Sequence, residues 1–452
     1  MAAAWQGLIE ELDTAVRDAD QAAFKAAADR CVGNADRCVG NAVGPFKLLQ
    51  AAISARNAGF GEGSEYLLRR MIAHLNPVPK SVYVELAFQQ RLKGNFNEAV
   101  SLLLVAMRVA GSDFRTALFT AHMLYASARK EDGDAMLAGC SPTSVQEQQN
   151  MMAMRQFGRF LQAYPLSRAL ELLSELKARH VWSEHFAYGA AICKAQEKGE
   201  AFSLIRLGDG EGACMRLGAT DEADYPQLYE ANRQNRIAMW FGADFPWATN
   251  GFTESWLGLR SGIEEADLLA IPDVDWLRKA YRISSLSGVT SLVNVLRMIL
   301  SRDNTAKRLQ LCSATAHFEL YEHGYIERLV RAAKRVSVIT CLPDLPSAMR
   351  TRFDLDEVTL LQIPGEVGSA KTLGDTVDFG VHYPTAYHQM MSKLAHPNDG
   401  RVFLIAGGFL GKLYTAEIKR RGGLALDVGS LVDSWMGKKT RPTYEPRFRL
   451  GI

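Results

Sequence analysis

The sequence is poor in everything that would fasten a protein to a membrane, a nucleic acid or a disulfide framework. Seven cysteines in 452 residues form no Cys-x-x-Cys pair and no Cys/His cluster at zinc-ligand spacing. That excludes a disulfide scaffold and a structural zinc module as organising principles. A formal net charge of only +2 supplies no one-signed field of the kind that nucleic-acid binding draws on. No apolar run approaches the roughly 18 residues that cross a bilayer. The opening Met1-Ala2-Ala3-Ala4-Trp5-Gln6-Gly7 lacks the basic stretch and apolar core of a secretory leader. The expectation is a cytoplasmic protein with reduced, mostly buried thiols, no transmembrane segment and no nucleic-acid partner.

What is present is an ordinary soluble composition, 48% apolar and 23% charged, in a chain longer than one hydrophobic core usually organises. Two domains are expected, 1–180 and 181–452. The first shows helical periodicity and almost no strand signal. Its clearest unit runs from Leu86 to Val100, with Ala87, Gly94, Phe96, Ala99, Leu103 and Ala106 at small, turn and packing positions. Ala52, Gly59, Ser64 and Leu68 echo that spacing upstream, and Pro77 closes the unit. These residues resemble a tetratricopeptide-like helix pair. Stacked helix pairs leave a concave groove suited to peptides or partner proteins; alternatively, such an array packs on its neighbour domain or self-associates. Ala28-Asp29-Arg30-Cys31-Val32-Gly33-Asn34 recurs verbatim as residues 35–41. Seven residues are close to two helical turns, so the duplication reads as a tolerated slip in a peripheral helix and not as a metal site.

Beyond residue 180, a helix expected over Phe186 to Lys198 leads into short apolar runs alternating with longer helical segments. This is the pattern of a parallel sheet covered by helices. Strands are expected at 203–207, 237–241, 268–271, 309–313, 336–341, 358–363, 402–406 and 424–428.

The most informative stretch is Phe202-Ser203-Leu204-Ile205-Arg206-Leu207-Gly208-Asp209-Gly210-Glu211-Gly212, an apolar run ending in two carboxylates separated by one glycine. A strand there delivers both acids to the carboxyl edge of a sheet, where open α/β folds place their ligands. Gly210 would allow the backbone angles that aim Asp209 and Glu211 at one divalent cation, although Gly-Asp-Gly also makes ordinary turns. A second stretch, Gly407-Gly408-Phe409-Leu410-Gly411-Lys412, turns a strand into a helix, so backbone amides and Lys412 would face an anion such as a diphosphate; the alternative is a helix–sheet packing turn with a solvated lysine. It matches neither a Walker A loop nor GxGxxG. Asp427 is a candidate for a ribose or sugar hydroxyl, and Asp433 follows one or two turns later; either could instead cap the next helix, as could Ser430. His317, His382 and His388 rank below the acids. The basic stretches Lys438-Lys439-Thr440-Arg441 and Arg447-Phe448-Arg449 close over a phosphate, touch an anionic acceptor or are simply solvated.

Arg206-Leu207-Gly208-Asp209-Gly210-Glu211 resembles the RxGDGE signature of bacterial glycosyltransferases with the GT-D fold. Val402 to Lys412 and Arg421 to Ser430 resemble that family's closing strand, helix and strand. The resemblance covers roughly residues 185–440. It implies a Rossmann-like parallel sheet of GT-D type preceded by the all-α repeat domain. It also implies a glycosyltransferase using a nucleotide-sugar donor, a UDP-sugar, and an acceptor in bacterial glycan or glycoprotein assembly. On this reading Asp209 and Glu211 form the DxE motif and hold Mn²⁺ or Mg²⁺, while Arg206, Gly208, Gly210, Gly408, Gly411, Lys412 and Asp427 surround the donor. Arg206 contacts phosphate or pairs with one of the acids. Two other readings stand beside it: a helical-repeat interaction protein that binds a nucleotide sugar without transfer, and a metal-dependent phosphohydrolase. The latter lacks an Asp-x-Asp-x-Thr or His-Asp signature.

Overall fold

The computed structural model describes residues 2–35, 43–243, 245, 250–301, 308–380, 382–398, 400–441 and 446–450. The chain divides into a helical unit, Met1–Ala163 with Lys279–Ser285, and a sheet unit, Tyr164–Arg278 with Leu286–Ile452. Among the described residues no helix is long and apolar enough to cross a membrane.

In the helical unit, neighbours in sequence pack as pairs: Val43–Asn57 with Gly61–His74, Lys80–Lys93 with Phe96–Ala110, and Phe114–Ala126 with Lys130–Ala138. The turn after Lys93 is made by Gly94 at φ 84°, a left-handed conformation in which a side chain would be strained. The small and apolar residues singled out for this pair, Ala87, Ala99, Leu103 and Ala106, are all fully buried, as are Ala52, Ser64 and Leu68 in the pair before it. The Ser64 hydroxyl donates to the Ala52 carbonyl at 2.5 Å, so the echo of spacing corresponds to close helix contact. Cys31 and Val32 of the first heptad copy are fully buried, whereas the second copy beyond Ala35 lies outside the described residues.

Residues 279–285 complete the helical unit from far along the sequence. The Arg91 Nε donates to the Ile283 carbonyl at 2.9 Å, and the His122 Nε2 lies 2.8 Å from the Ser284 carbonyl. Burial pulls the His122 imidazole down to about 3, so it sits neutral in this contact. The division at Ala163 falls before residue 180. Helix Leu166–Arg179 belongs with the sheet unit because its apolar face, Ala169, Leu172, Leu173 and Leu176, packs against Leu286–Leu300. A cut at residue 180 would therefore strip residues 279–285 of their partners and leave the sheet unit short of a helix.

The sheet unit holds strands β1 (Val181–Trp182), β2 (Phe202–Arg206), β3 (Leu268–Ile271), β4 (Gln310–Ser313), β5 (Arg335–Thr340), β6 (Glu357–Gln362), β7 (Val402–Ile405) and β8 (Leu424–Asp427). They form one sheet in the order β1-β4-β3-β2-β8-β7-β5-β6, with every pairing parallel. β3, β7 and β8 are buried at every residue, as strands covered on both faces must be. The expected strand at 237–241 is instead the end of a helix, Pro226–Phe241. Its apolar run joins a buried stripe through Leu228, Tyr229, Asn232, Arg233, Ile237 and Trp240, a helical period that outweighs the local strand propensity. The two-residue β1 carries too little pattern to be read from sequence.

β2, β3 and β4 extend the sheet one way and β7, β5 and β6 the other, so the halves meet at the β2–β8 seam. Ser203 stands opposite Ala425 and Leu204 opposite Leu426. At the carboxyl edge β2 runs into α1 (Asp209–Cys214), which packs on α2 (Pro226–Phe241) and α3 (Leu286–Leu300). β7 runs into α4 (Gly408–Arg420), and β8 is followed by α5 (Leu431–Trp435).

Candidate functional site

The two sequence motifs, more than half the sheet unit apart along the chain, meet at this seam through a buried ion cluster. Lys412, on the second turn of α4, places its Nζ 3.0 Å from the Glu211 Oε1, 2.9 Å from the Asp427 Oδ2 and 3.0 Å from the Gly408 carbonyl. An ammonium has three protons to donate, and these acceptors match that number. Lys412 is 6% exposed, Glu211 7% and Asp427 1%. Burial works against ionising Glu211, but Lys412 and the Gly208 N–H, which donates at 2.9 Å, outweigh it and hold the carboxyl below its ordinary value. Burial likewise opposes the Lys412 charge, and Asp427 and Glu211 more than restore it. The expected free lysine facing a diphosphate is therefore an internally neutralised one.

Arg206 lies beside this cluster. Its Nε donates to the Ala314 carbonyl at 3.0 Å, and its backbone N–H reaches the Asp427 Oδ2 at 3.3 Å. A Cβ on Gly429, at φ 47°, would lie 2.5 Å from the Arg206 Nη1, so that glycine leaves room for the guanidinium. Burial pulls the Arg206 pKa down, opposed by Asp427 and Glu211. His317 is 2% exposed, and burial and the nearby Arg206 and Lys412 charges keep it neutral.

Asp209 faces elsewhere. Its carboxylate pairs with Arg236 on α2 and keeps 36% side-chain exposure. The glycine between the acids serves packing and not an unusual turn: Gly210 is helical, and a Cβ there would lie 2.7 Å from the Trp240 ring. Gly208 is crowded in the same way by Trp276 at 2.8 Å, and Gly411 by Ile405 at 3.1 Å. Gly408 alone among these needs conformational freedom, at φ 54°.

The implied divalent cation would need Asp209 and Glu211 to converge. They do not: one carboxylate serves Arg236, while both oxygens of the other are held, Oε1 by Lys412 and Oε2 by the Gly208 N–H. Among the described residues no group of three or more His, Cys, Asp and Glu side chains is assembled to hold a metal. The arrangement does not fit a two-carboxylate metal site.

Sequence reading does not single out Arg236, Trp240 or Glu366, and the structure adds all three. Arg441, from the basic stretch, grips Glu366 through its Nη2 at 2.5 and 2.6 Å. The segment carrying it is fastened to α5: the Thr440 hydroxyl donates to the Asp433 Oδ2 at 2.5 Å and the Lys438 N–H to the Asp433 carbonyl at 2.7 Å. Asp433 thus anchors the strap and is not free for a ligand.

Burial pushes the Asp433 carboxyl up to about 6, against the Thr440 hydrogen bond and the Arg441 charge. A carboxyl whose folded pKa is raised binds its proton more tightly in the native state, so its contribution to stability falls as pH rises from about 4 to about 6. Asp433→Asn mimics the protonated acid. Its stability relative to wild type should improve by about 1–2 kcal/mol across that window. Urea unfolding of both proteins between pH 4 and pH 7 measures this, and a constant gap would contradict it.

No protein-family model matches the sequence, and no curated protein and no solved structure is significantly similar to it.

Proposed function

We propose that the sheet unit is a GT-D type glycosyltransferase that moves a sugar from a nucleotide-sugar donor, a UDP-sugar, to a glycan or glycoprotein acceptor. The observation that carries this reading is the Lys412 bridge, which joins Glu211, in the first turn of α1, to the last residue of β8. Two separated motifs that resemble one family thereby form one site at the carboxyl edge of a parallel sheet, the ligand-binding edge of open α/β folds.

Sugar transfer breaks a bond to a diphosphate, and negative charge grows on the leaving oxygen where the enzyme must meet it. Arg236 and Arg441, each paired with a carboxylate, stand at that edge as cations that a phosphate can draw away from Asp209 and Glu366, and the amino end of α4 adds its dipole. Helical pairs such as Lys80–Lys93 with Phe96–Ala110 offer a surface for the acceptor or for a partner protein. The donor is tested by thermal shift and calorimetric titration with a panel of nucleoside-diphosphate sugars, with and without Mn²⁺ or Mg²⁺. Saturable binding of at least one is expected, and binding of none would end this reading.

A further inference from the structure

Lys279–Ser285 belongs to the helical unit, while Arg278 and Leu286 on either side of it belong to the sheet unit. The segment ends the helix Val274–Arg282 and leads directly into α3. Within the helical unit it is gripped at its carbonyls, the groups that a helix end leaves without partners. Arg91 donates from Nε to the Ile283 carbonyl at 2.9 Å and from Nη2 to the Ser284 carbonyl at 3.4 Å. The neutral His122 sets its Nε2 2.8 Å from the Ser284 carbonyl and 3.1 Å from the Ser284 hydroxyl. Gly94 closes on the same end, since a Cβ there would lie 3.1 Å from the Arg282 carbonyl oxygen.

The turn held in this way is strained. The Ser284 N–H donates to the Tyr281 carbonyl at 2.9 Å and the Ser285 N–H to the Ala280 carbonyl at 3.0 Å, the pair of bonds that closes a helix through a left-handed residue. Glycine is usual at that position, but here a serine occupies it at φ 43°, 3% exposed. A side chain persists in that conformation only where its surroundings over-determine it. Arg91 and His122 are those surroundings, and serine adds a hydroxyl for His122 that glycine lacks.

Inside the sheet unit, the elements on both sides of the segment press on α1. Just upstream, the Trp276 ring lies 2.8 Å from where a Cβ on Gly208, the N-cap of α1, would stand. Just downstream, the Ser291 carbonyl carbon lies 2.7 Å from the same point on Gly212, within α1. Chain continuity therefore ties the Ser284 turn to both supports of the helix that carries Asp209 and Glu211.

We propose that Arg91 and His122 are positioning residues for the candidate site and that the Ser284 turn is the two-state element through which the helical unit governs it. Held, the turn fixes the end of helix Val274–Arg282 and the start of α3. Released, it relaxes out of the left-handed region, and α1 loses both supports together. The consequence for donor binding rests on the donor reading above, whereas the coupling itself does not.

The test is hydrogen exchange of the full chain read by mass spectrometry, with calorimetric titration of UDP beside it. Arg91→Met and His122→Leu should each speed exchange at Asp209–Cys214 and Val274–Arg282 by about tenfold or more, with β5 and β6 unchanged. His122→Gln keeps an N–H at similar reach and should stay within about threefold of wild type. Ser284→Gly removes the strain, so adding it to Arg91→Met should recover most of the lost protection, which a residue that merely packs would not show. If Arg91→Met and His122→Leu fail to fold, Ser284→Gly alone carries the test and should slow exchange at Asp209–Cys214 by about threefold. UDP affinity should fall about fivefold or more in Arg91→Met and hold in His122→Gln. Unchanged exchange at Asp209–Cys214 in the first two variants, acceleration spread evenly over the sheet unit, or faster exchange in Ser284→Gly would overturn the coupling. Faster exchange with undiminished UDP affinity would overturn control of the site while leaving the donor reading intact. Failure of wild type to bind UDP would overturn the donor reading, and the exchange rates would still decide the coupling.

Discussion

Replacing Lys412 with methionine should destabilise the sheet unit by about 3–5 kcal/mol, the range for breaking a buried ion pair from one side. Methionine keeps the length and apolar stem, so little packing is lost. What remains is Glu211 and Asp427, 7% and 1% exposed, facing each other without the ammonium that neutralises them. The loss should shrink as pH falls. Lys412 holds the Glu211 carboxyl below its ordinary value, and without that cation burial raises it, so a protonated Glu211 no longer needs a counter-charge. Chemical denaturation of the full chain at pH 8 and pH 5, followed by the transition of the sheet unit, measures both statements. A loss under about 1 kcal/mol, typical of a solvated surface pair, would contradict the buried bridge.

Gly212→Ala should have an effect of comparable size for a different reason. A Cβ there would lie 2.7 Å from the Ser291 carbonyl carbon, closer still to its oxygen, and 3.0 Å from the Val295 Cγ2. The obstacle is backbone of α3, which cannot rotate away, so α1 must lift and carry Asp209 and Glu211 with it. A cost of about 3 kcal/mol or more is expected, the upper end for overpacking. Gly210→Ala meets the Trp240 ring, a side chain that can shift, and should cost less, about 1–3 kcal/mol. Gly33, helical with nothing within 4 Å, provides the control: alanine there should be neutral or stabilise by about 0.5–1 kcal/mol. Thermal unfolding of the three variants should give this order, and a Gly212→Ala protein as stable as wild type would mean that α1 does not pack as described.

Strands of the sheet unit are legible because a strand buried on both faces must be apolar throughout, and runs such as Val402–Ile405 and Leu268–Ile271 have no competing reading. Residues 237–241 look the same locally and are helical because the deciding residues, Leu228 to Arg233, lie upstream. The site divides along similar lines. Placing Asp209, Glu211, Lys412 and Asp427 at one sheet edge follows from strand ends and glycine-rich turns. Which charges neutralise which does not, because it depends on partners far away in sequence. Arg236 finds Asp209 across 27 residues and Arg441 finds Glu366 across 75. A lone arginine on a polar helix face carries no signal of that encounter, and nothing in the Gly-Lys turn reveals that its lysine points inward to Asp427.

Transfer of a sugar is measured most directly as release of free nucleoside diphosphate from a nucleotide sugar, with and without fractionated cell extract as the source of acceptor. Release should depend on the extract and fall by at least an order of magnitude in Lys412→Met and Arg236→Gln, a loss of about 1.4 kcal/mol or more in transition-state stabilisation. Donor binding with no release under any condition would instead identify an interaction protein, and phosphate release independent of any acceptor a hydrolase; either result would contradict sugar transfer.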